Sequence, residues 1–200
     1  MPHTEIVLAS ASQSRAALLE GAGLDVLIRP ADIDEKVIKE ECRRDDLDVA
    51  TTAARLAWEK SEKISNLLPN AVVIGADQML DCDGDWLDKP VDMNAAAESL
   101  RLLRGQKHEL ITSVSITCAG QERWHHTDRA TLVMREFSDE FLQEYLDRIG
   151  EAALSSVGAY QLEGLGAQLF ERIDGDYFTI LGLPLLPVLD YLRDEGALST

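Results

Sequence analysis

Asp77 and Gln78 are the first polar side chains after the run Ala71-Val72-Val73-Ile74-Gly75-Ala76, a position from which a carboxylate can act on a ligand. A short run rich in β-branched residues reads as a buried strand of an α/β sheet. In open α/β sheets, ligands bind at the carboxyl ends of the strands. Gly75 and Ala76 leave room for a ligand or another backbone to come close. On this reading Val72 to Gln78 form the strand, and Asp77 emerges where it ends at the sheet edge. The plainer alternative is a strand that ends in an ordinary Asp turn.

Four other sets of side chains could serve an anion or a cation. Ser10-Ala11-Ser12-Gln13-Ser14-Arg15 follows the predicted strand Ile6-Val7-Leu8-Ala9 and precedes a helix over 16–20, with Gly21 and Gly23 as stops. Free backbone N–H groups, hydroxyls and a guanidinium at a helix start suit an anion. An N-cap serine beside a surface arginine is the structural alternative. Asp32, Asp34 and Glu35 put three carboxylates on a loop before a charged segment. Residues 47–68 read as a long helix with Ala53, Leu56, Ala57 and Ile64 in one stripe. Lys60 falls inside that stripe, and either snorkels from its edge to water or points at an anion in a cleft.

The acidic run Asp81-Cys82-Asp83-Gly84-Asp85 suggests a metal loop or an aspartyl phosphatase. An EF-hand needs Gly at the sixth loop position and Glu at the twelfth, whereas Gly84 is fourth and Asp92 twelfth. Asp83-Gly84 is better read as a hairpin turn. Its return strand, Trp86-Leu87-Asp88-Lys89-Pro90, brings Lys89 back towards the Asp77 end.

These groups need a scaffold, and the remaining pattern supplies one. A second strand is expected over 26–28, and Asp92 caps a helix Met93–Leu103 that Gly105 stops. Residues 110–118 alternate as a strand, Gly120 turns the chain, and 129–135 form its partner, with His125 and His126 as surface residues near the turn. Ser138 caps an acidic-first helix Asp139–Ile149 closed by Gly150. The glycine-rich stretch 155–166 does not match a dinucleotide fingerprint. A hairpin is expected from 168–173 and 177–180 around Asp174-Gly175, and Leu181-Gly182-Leu183-Pro184 opens a last helix to about Glu195.

Composition narrows the class. The 200 residues suit a single domain, 1–200, and 46% hydrophobic with 28% charged residues is ordinary for a globular protein. No apolar run spans a bilayer and no signal pattern opens the chain, so a cytoplasmic protein with no membrane partner is expected. Cys42, Cys82 and Cys118 form no metal spacing and fit a reducing compartment. A formal charge of −17 argues against nucleic acid as a partner. It also means that any anionic ligand needs a local cluster of cations or a metal.

Taken in order, several pieces resemble the Maf family of nucleotide pyrophosphatases. They are Leu8-Ala9-Ser10-Ala11-Ser12 with Arg15 and Leu18-Leu19, Asp34-Glu35, Leu56-Ala57 with Lys60, and Gly75-Ala76-Asp77-Gln78. Asp88-Lys89-Pro90, Gly158-Ala159-Tyr160, Glu163-Gly164 with Gly166, Gly175-Asp176-Tyr177 and Gly182-Leu183-Pro184 follow. The resemblance implies a mixed, twisted α/β sheet flanked by helices, with two lobes and a central cleft, in a homodimer. It implies hydrolysis of a nucleoside triphosphate to monophosphate and pyrophosphate with a divalent cation, Mg²⁺ or Mn²⁺. Asp77 is then the proton acceptor, and Ser10, Ser12, Arg15, Lys60 and Lys89 bind the triphosphate. Glu35 joins Asp77 as a metal ligand, and Ser14, Gln78 and Glu163 select the base. Gln78 and Glu163 match the branch acting on 7-methyl-GTP rather than the dTTP/UTP branch, which has Thr and Gln there. The stacking Trp of that branch is missing, and Ser12-Gln13-Ser14-Arg15 stands where the family has Ser-Pro-Arg-Arg or Ser-Pro-Trp-Arg. The same resemblance carries an alternative: a non-catalytic regulator of septum formation that acts by protein interaction.

Overall fold

The structure, a computed structural model, describes residues 5–198. Strand β1 (Ile6–Leu8) leads into helix α1 (Gln13–Gly21), and β2 (Val26–Ile28), α2 (Glu35–Arg44) and α3 (Val49–Leu67) follow. Then come β3 (Val72–Cys82), β4 (Asp85–Leu87), α4 (Met93–Leu103), β5 (Lys107–Cys118), β6 (Gln121–Met134) and α5 (Asp139–Ile149). Three short 3₁₀ turns lead to β7 (Phe170–Asp174), α6 (Tyr177–Ile180) and α7 (Leu185–Asp194). The strands form one mixed sheet in the order β2-β1-β3-β5-β6-β7, with β4 paired to β3. The class is α/β, as expected.

Caps set the helix starts. Ser12, Asp34, Asp48, Asp92 and Ser138 each accept a hydrogen bond from a backbone N–H of the first turn of α1, α2, α3, α4 and α5, satisfying donors that the helix itself cannot pair. At the β3–β4 turn, Asp83 and Gly84 both have positive φ, as a tight hairpin requires. Asp81 Oδ1 accepts the Gly84 N–H at 2.9 Å. The acidic run that suggested a metal or phosphoryl site is therefore turn chemistry.

The chain divides into two compact units. One holds β1, β2, α1 to α3, β3 as far as Asp77, Thr112–Asp128 and residues 177–198. In it β1 pairs in parallel with β2 and with Val72 to Ile74 of β3. Strand β1, with a parallel neighbour on each side, is buried on both faces, whereas β2 leaves Leu27 and Ile28 exposed. Leu8, Ile74 and Ala76 join Leu19, Leu183, Val188 and Leu192 on one face. Val7, Ala9 and Val73 pack with Ile64 of α3 on the other. The second unit runs from Gln78 to Ile111 and from Arg129 to Asp176. There His108 Nε2 lies 2.9 Å from the Tyr160 hydroxyl, and Tyr160 meets Phe170 edge-on at 4.9 Å.

Three expectations are corrected. Strand β3 does not end at Asp77-Gln78 but continues to Cys82, so Asp77 lies in mid-strand. The low strand propensity of Gly75, Ala76 and Asp77 is overridden by sheet pairing, including the antiparallel match of Leu80–Cys82 to β4. What does end near Ile74 is the parallel neighbour: Ala9 N donates to Ile74 O, and the chain then departs towards α1. Residues 168–173 and 177–180 do not form a hairpin. β7 pairs instead with β6, Thr131 opposite Asp174, and Tyr177 to Ile180 are helical. His125 and His126 sit within β6 rather than at its turn.

Candidate active site

Period-two alternation along β3 places Val73, Gly75 and Asp77 on the face covered by α3. Gly75 is what lets the helix come close: a Cβ there would lie 2.2 Å from the Ala57 carbonyl oxygen and 2.7 Å from Ser61 N. Beneath it, the Ser61 hydroxyl meets Ser115 Oγ at 3.1 Å and Thr117 Oγ1 at 2.7 Å, so small polar residues line the contact. The close approach delivers Lys60, from the apolar stripe of α3, to Asp77. Its Nζ donates to Asp77 Oδ1 at 2.6 Å and lies 2.7 Å from Glu35 Oε1. Lys60 is 7% exposed and Asp77 5%. The lysine therefore does not snorkel; it faces the carboxylates.

Glu35 reaches this position from the first turn of α2. That helix is tied to α3 by Arg55, which donates to Glu41 at 2.7 Å and to Glu59 at 2.9 Å. Lys63 of α3 also donates to the Asp32 carbonyl in the preceding loop. The Glu35 side chain stays 46% exposed, so one carboxylate of the pair is wet and the other dry.

Arg15 is buried, which removes the surface-arginine alternative. Nη1 donates to Ala76 O at 2.9 Å and to Ser10 Oγ at 3.1 Å, and Nε donates to Gly182 O at 2.7 Å. Burial lowers the Arg15 pKa, while the charges of Asp77 and Glu35 raise it. Ser10 Oγ also accepts the Ser12 N–H at 3.2 Å, which leaves its own hydroxyl proton to donate elsewhere. The two backbone acceptors, Ala76 and Gly182, were not legible as site groups in the sequence. The only signal was the glycine in Leu181-Gly182-Leu183-Pro184.

A cation would find a fitting group here. Asp77 Oδ2 is buried without a hydrogen-bond partner among the described residues, and a carboxylate oxygen suits a hard divalent ion. Glu35 lies alongside, and both carboxylates share the Lys60 ammonium; no cluster of three or more metal-binding side chains occurs among the described residues. Of the remaining predicted residues, Ser12 and Ser14 lie at the start of α1 and are half-buried, and Gln78 follows Asp77 in β3. Lys89, beyond β4, and Glu163 are exposed residues of the second unit. Geometry thus unites Ser10, Arg15, Glu35, Lys60 and Asp77. All three cysteines are free thiols, and no helix among the described residues is long and apolar enough to cross a membrane.

Comparison with known proteins places the chain among relatives. The chain is 49% identical over 98% of its length to a nucleoside triphosphate pyrophosphatase of Granulibacter bethesdensis, covering 99% of that protein. It is 49% identical over 96% of its length to another so named from Paramagnetospirillum magneticum, covering 99% of it. A 7-methyl-GTP pyrophosphatase of Rhizobium etli is 44% identical, with 98% of each chain covered. The family model described as Maf-like protein matches residues 5–195. The chain belongs to the Maf-like family.

Proposed function

We propose that this protein hydrolyses nucleoside triphosphates between the α and β phosphates, releasing a monophosphate and pyrophosphate. One observation carries the reading: a buried aspartate, one oxygen of which has no hydrogen-bond partner among the described residues, sits beside two buried cations in a chain of net charge −17. Such an acidic protein can hold a triphosphate only where cations are gathered locally. The names of the relatives from Granulibacter bethesdensis and Paramagnetospirillum magneticum support it.

In the proposed mechanism Asp77 holds the attacking water and accepts its proton, as a general base within a dry site. Lys60 fixes the Asp77 carboxylate through Oδ1 and supplies a positive charge to the phosphates. Ser10 and Ser12 donate to phosphate oxygens, and Lys89 meets them as a point charge. Glu35 and Asp77 would hold a divalent cation, Mg²⁺ or Mn²⁺, which when bound neutralises phosphate oxygens. Ser14, Gln78 and Glu163 select the base. A carboxylate at Glu163 suits the cationic ring of 7-methyl-GTP, the substrate named for the Rhizobium etli relative. The proposal extends to a cytoplasmic homodimer with no nucleic-acid partner.

The test is product identification with a nucleotide panel and Mg²⁺ or Mn²⁺. Monophosphate plus pyrophosphate, lost in Asp77→Asn and retained in Asp83→Asn, is the expected result. Orthophosphate as the sole phosphate product contradicts the reading, and so does the absence of any turnover by well-folded protein. The second of these outcomes favours a non-catalytic regulator.

A further inference from the structure

Arg15 is the residue that the family resemblance places on the triphosphate, but its bonds point inward. Nε and Nη1 carry three hydrogen bonds, to Gly182 O, Ala76 O and Ser10 Oγ. The side chain thereby joins the loop after β1, mid-β3 and the loop between α6 and α7. The Ala76 carbonyl belongs to the peptide that also carries the Asp77 N–H, so this bond fixes the backbone from which the Asp77 carboxylate projects. We infer that Arg15 is a positioning residue that acts through Asp77, and that the Gly182 carbonyl is its anchor. This rests on the assignment of Asp77 as the proton acceptor.

The anchor is itself held in place. Gly182 has φ +102°, a conformation that L side chains rarely adopt, and an added Cβ would lie 3.3 Å from Arg15 Nε. Its N–H donates to Thr179 O at 3.0 Å. The same carbonyl accepts the Thr112 hydroxyl at 2.9 Å, and Thr179 Oγ1 donates to Asp128 Oδ2 at 2.7 Å. A loop that served only to start α7 has no need of a buried guanidinium on its carbonyl. The bonds give Gly182-Leu183-Pro184 a purpose that the triphosphate chemistry does not.

A guanidinium that spans two carbonyls cannot be replaced by an ammonium, although the charge is the same. Loss of a guanidinium that only bound the phosphates would instead show mainly as a raised KM. Arg15→Lys and Gly182→Ala are therefore compared with wild type in steady-state kinetics, with thermal melting of each variant alongside. The inference predicts that both lower kcat about tenfold or more while KM stays within about threefold. A raised KM with kcat retained in Arg15→Lys overturns it, as does wild-type behaviour of Gly182→Ala. A second arm needs no variant to fold. In wild-type protein the Arg15 Nε–H resonance is followed by NMR as a non-hydrolysable triphosphate is added. Retained protection from exchange supports the clamp on Gly182, and lost protection contradicts it. If wild type turns over nucleotides but these outcomes fail, the clamp is wrong and the proposed activity stands; if wild type turns over none, the activity itself is wrong.

Discussion

At the scale of single residues, Lys60 and Asp77 form the contact on which the site depends, and burial sets its magnitude. Removing one member of a buried ion pair leaves an uncompensated charge and costs about 3–5 kcal/mol. Lys60→Met should therefore lose about that much stability in urea unfolding. Glu35→Gln touches the same ammonium from the wet side, where screening leaves under about 1 kcal/mol. Asp77→Asn keeps the shape and loses the base, so kcat should fall about 10²–10⁴-fold. His108 offers a test away from the site. Burial lowers its pKa to about 4, so the folded state holds it neutral where the unfolded chain, near pKa 6.5, takes up a proton. No cost arises above about pH 6.5. Below it stability is lost progressively, levelling off near pH 4 at about 3 kcal/mol. Urea unfolding at pH 7 and pH 4.5 checks this, and a His108→Gln variant should lose less over the same range.

At the scale of elements, helix α3 and strand β3 position the site, and Gly75 sets their separation. A methyl group there would overlap the Ala57 carbonyl, and backbone cannot yield as a side-chain end can. Gly75→Ala should cost about 3 kcal/mol or more and lower kcat further by moving Asp77 from Lys60. Unfolding and turnover measured on the same preparation separate the two effects. Much at this scale was legible in the sequence. Asp92 and Ser138 with their following helices, the Asp83-Gly84 turn and the α3 stripe all lie where caps, φ-permissive residues and periodicity put them. Strand β3 was misjudged because its length is decided by partners on distant segments, which no local propensity reports. The same cause hid β7, whose partner is β6 rather than the segment that follows it. Whether Lys60 snorkels or turns inward could not be read from spacing, since both readings share one stripe. The close approach at Gly75 decides it.

At the scale of the whole molecule, the resemblance built from scattered motifs is borne out by a family match over residues 5–195. It also explains why the site was partly legible. Arg15, Glu35, Lys60 and Asp77 come from four separate elements, and only ordered motifs could link them before a structure did. Backbone acceptors leave no such mark, so the carbonyls of Ala76 and Gly182 emerged from geometry alone. In the proposed reaction, water held by Asp77 attacks the α phosphorus and displaces pyrophosphate in line. Hydrolysis of a nucleoside triphosphate in ¹⁸O-labelled water tests this most directly, with both products examined by mass spectrometry. The expected result is one labelled oxygen in the monophosphate and none in pyrophosphate. Label in the pyrophosphate, or labelled orthophosphate as the product, would contradict it.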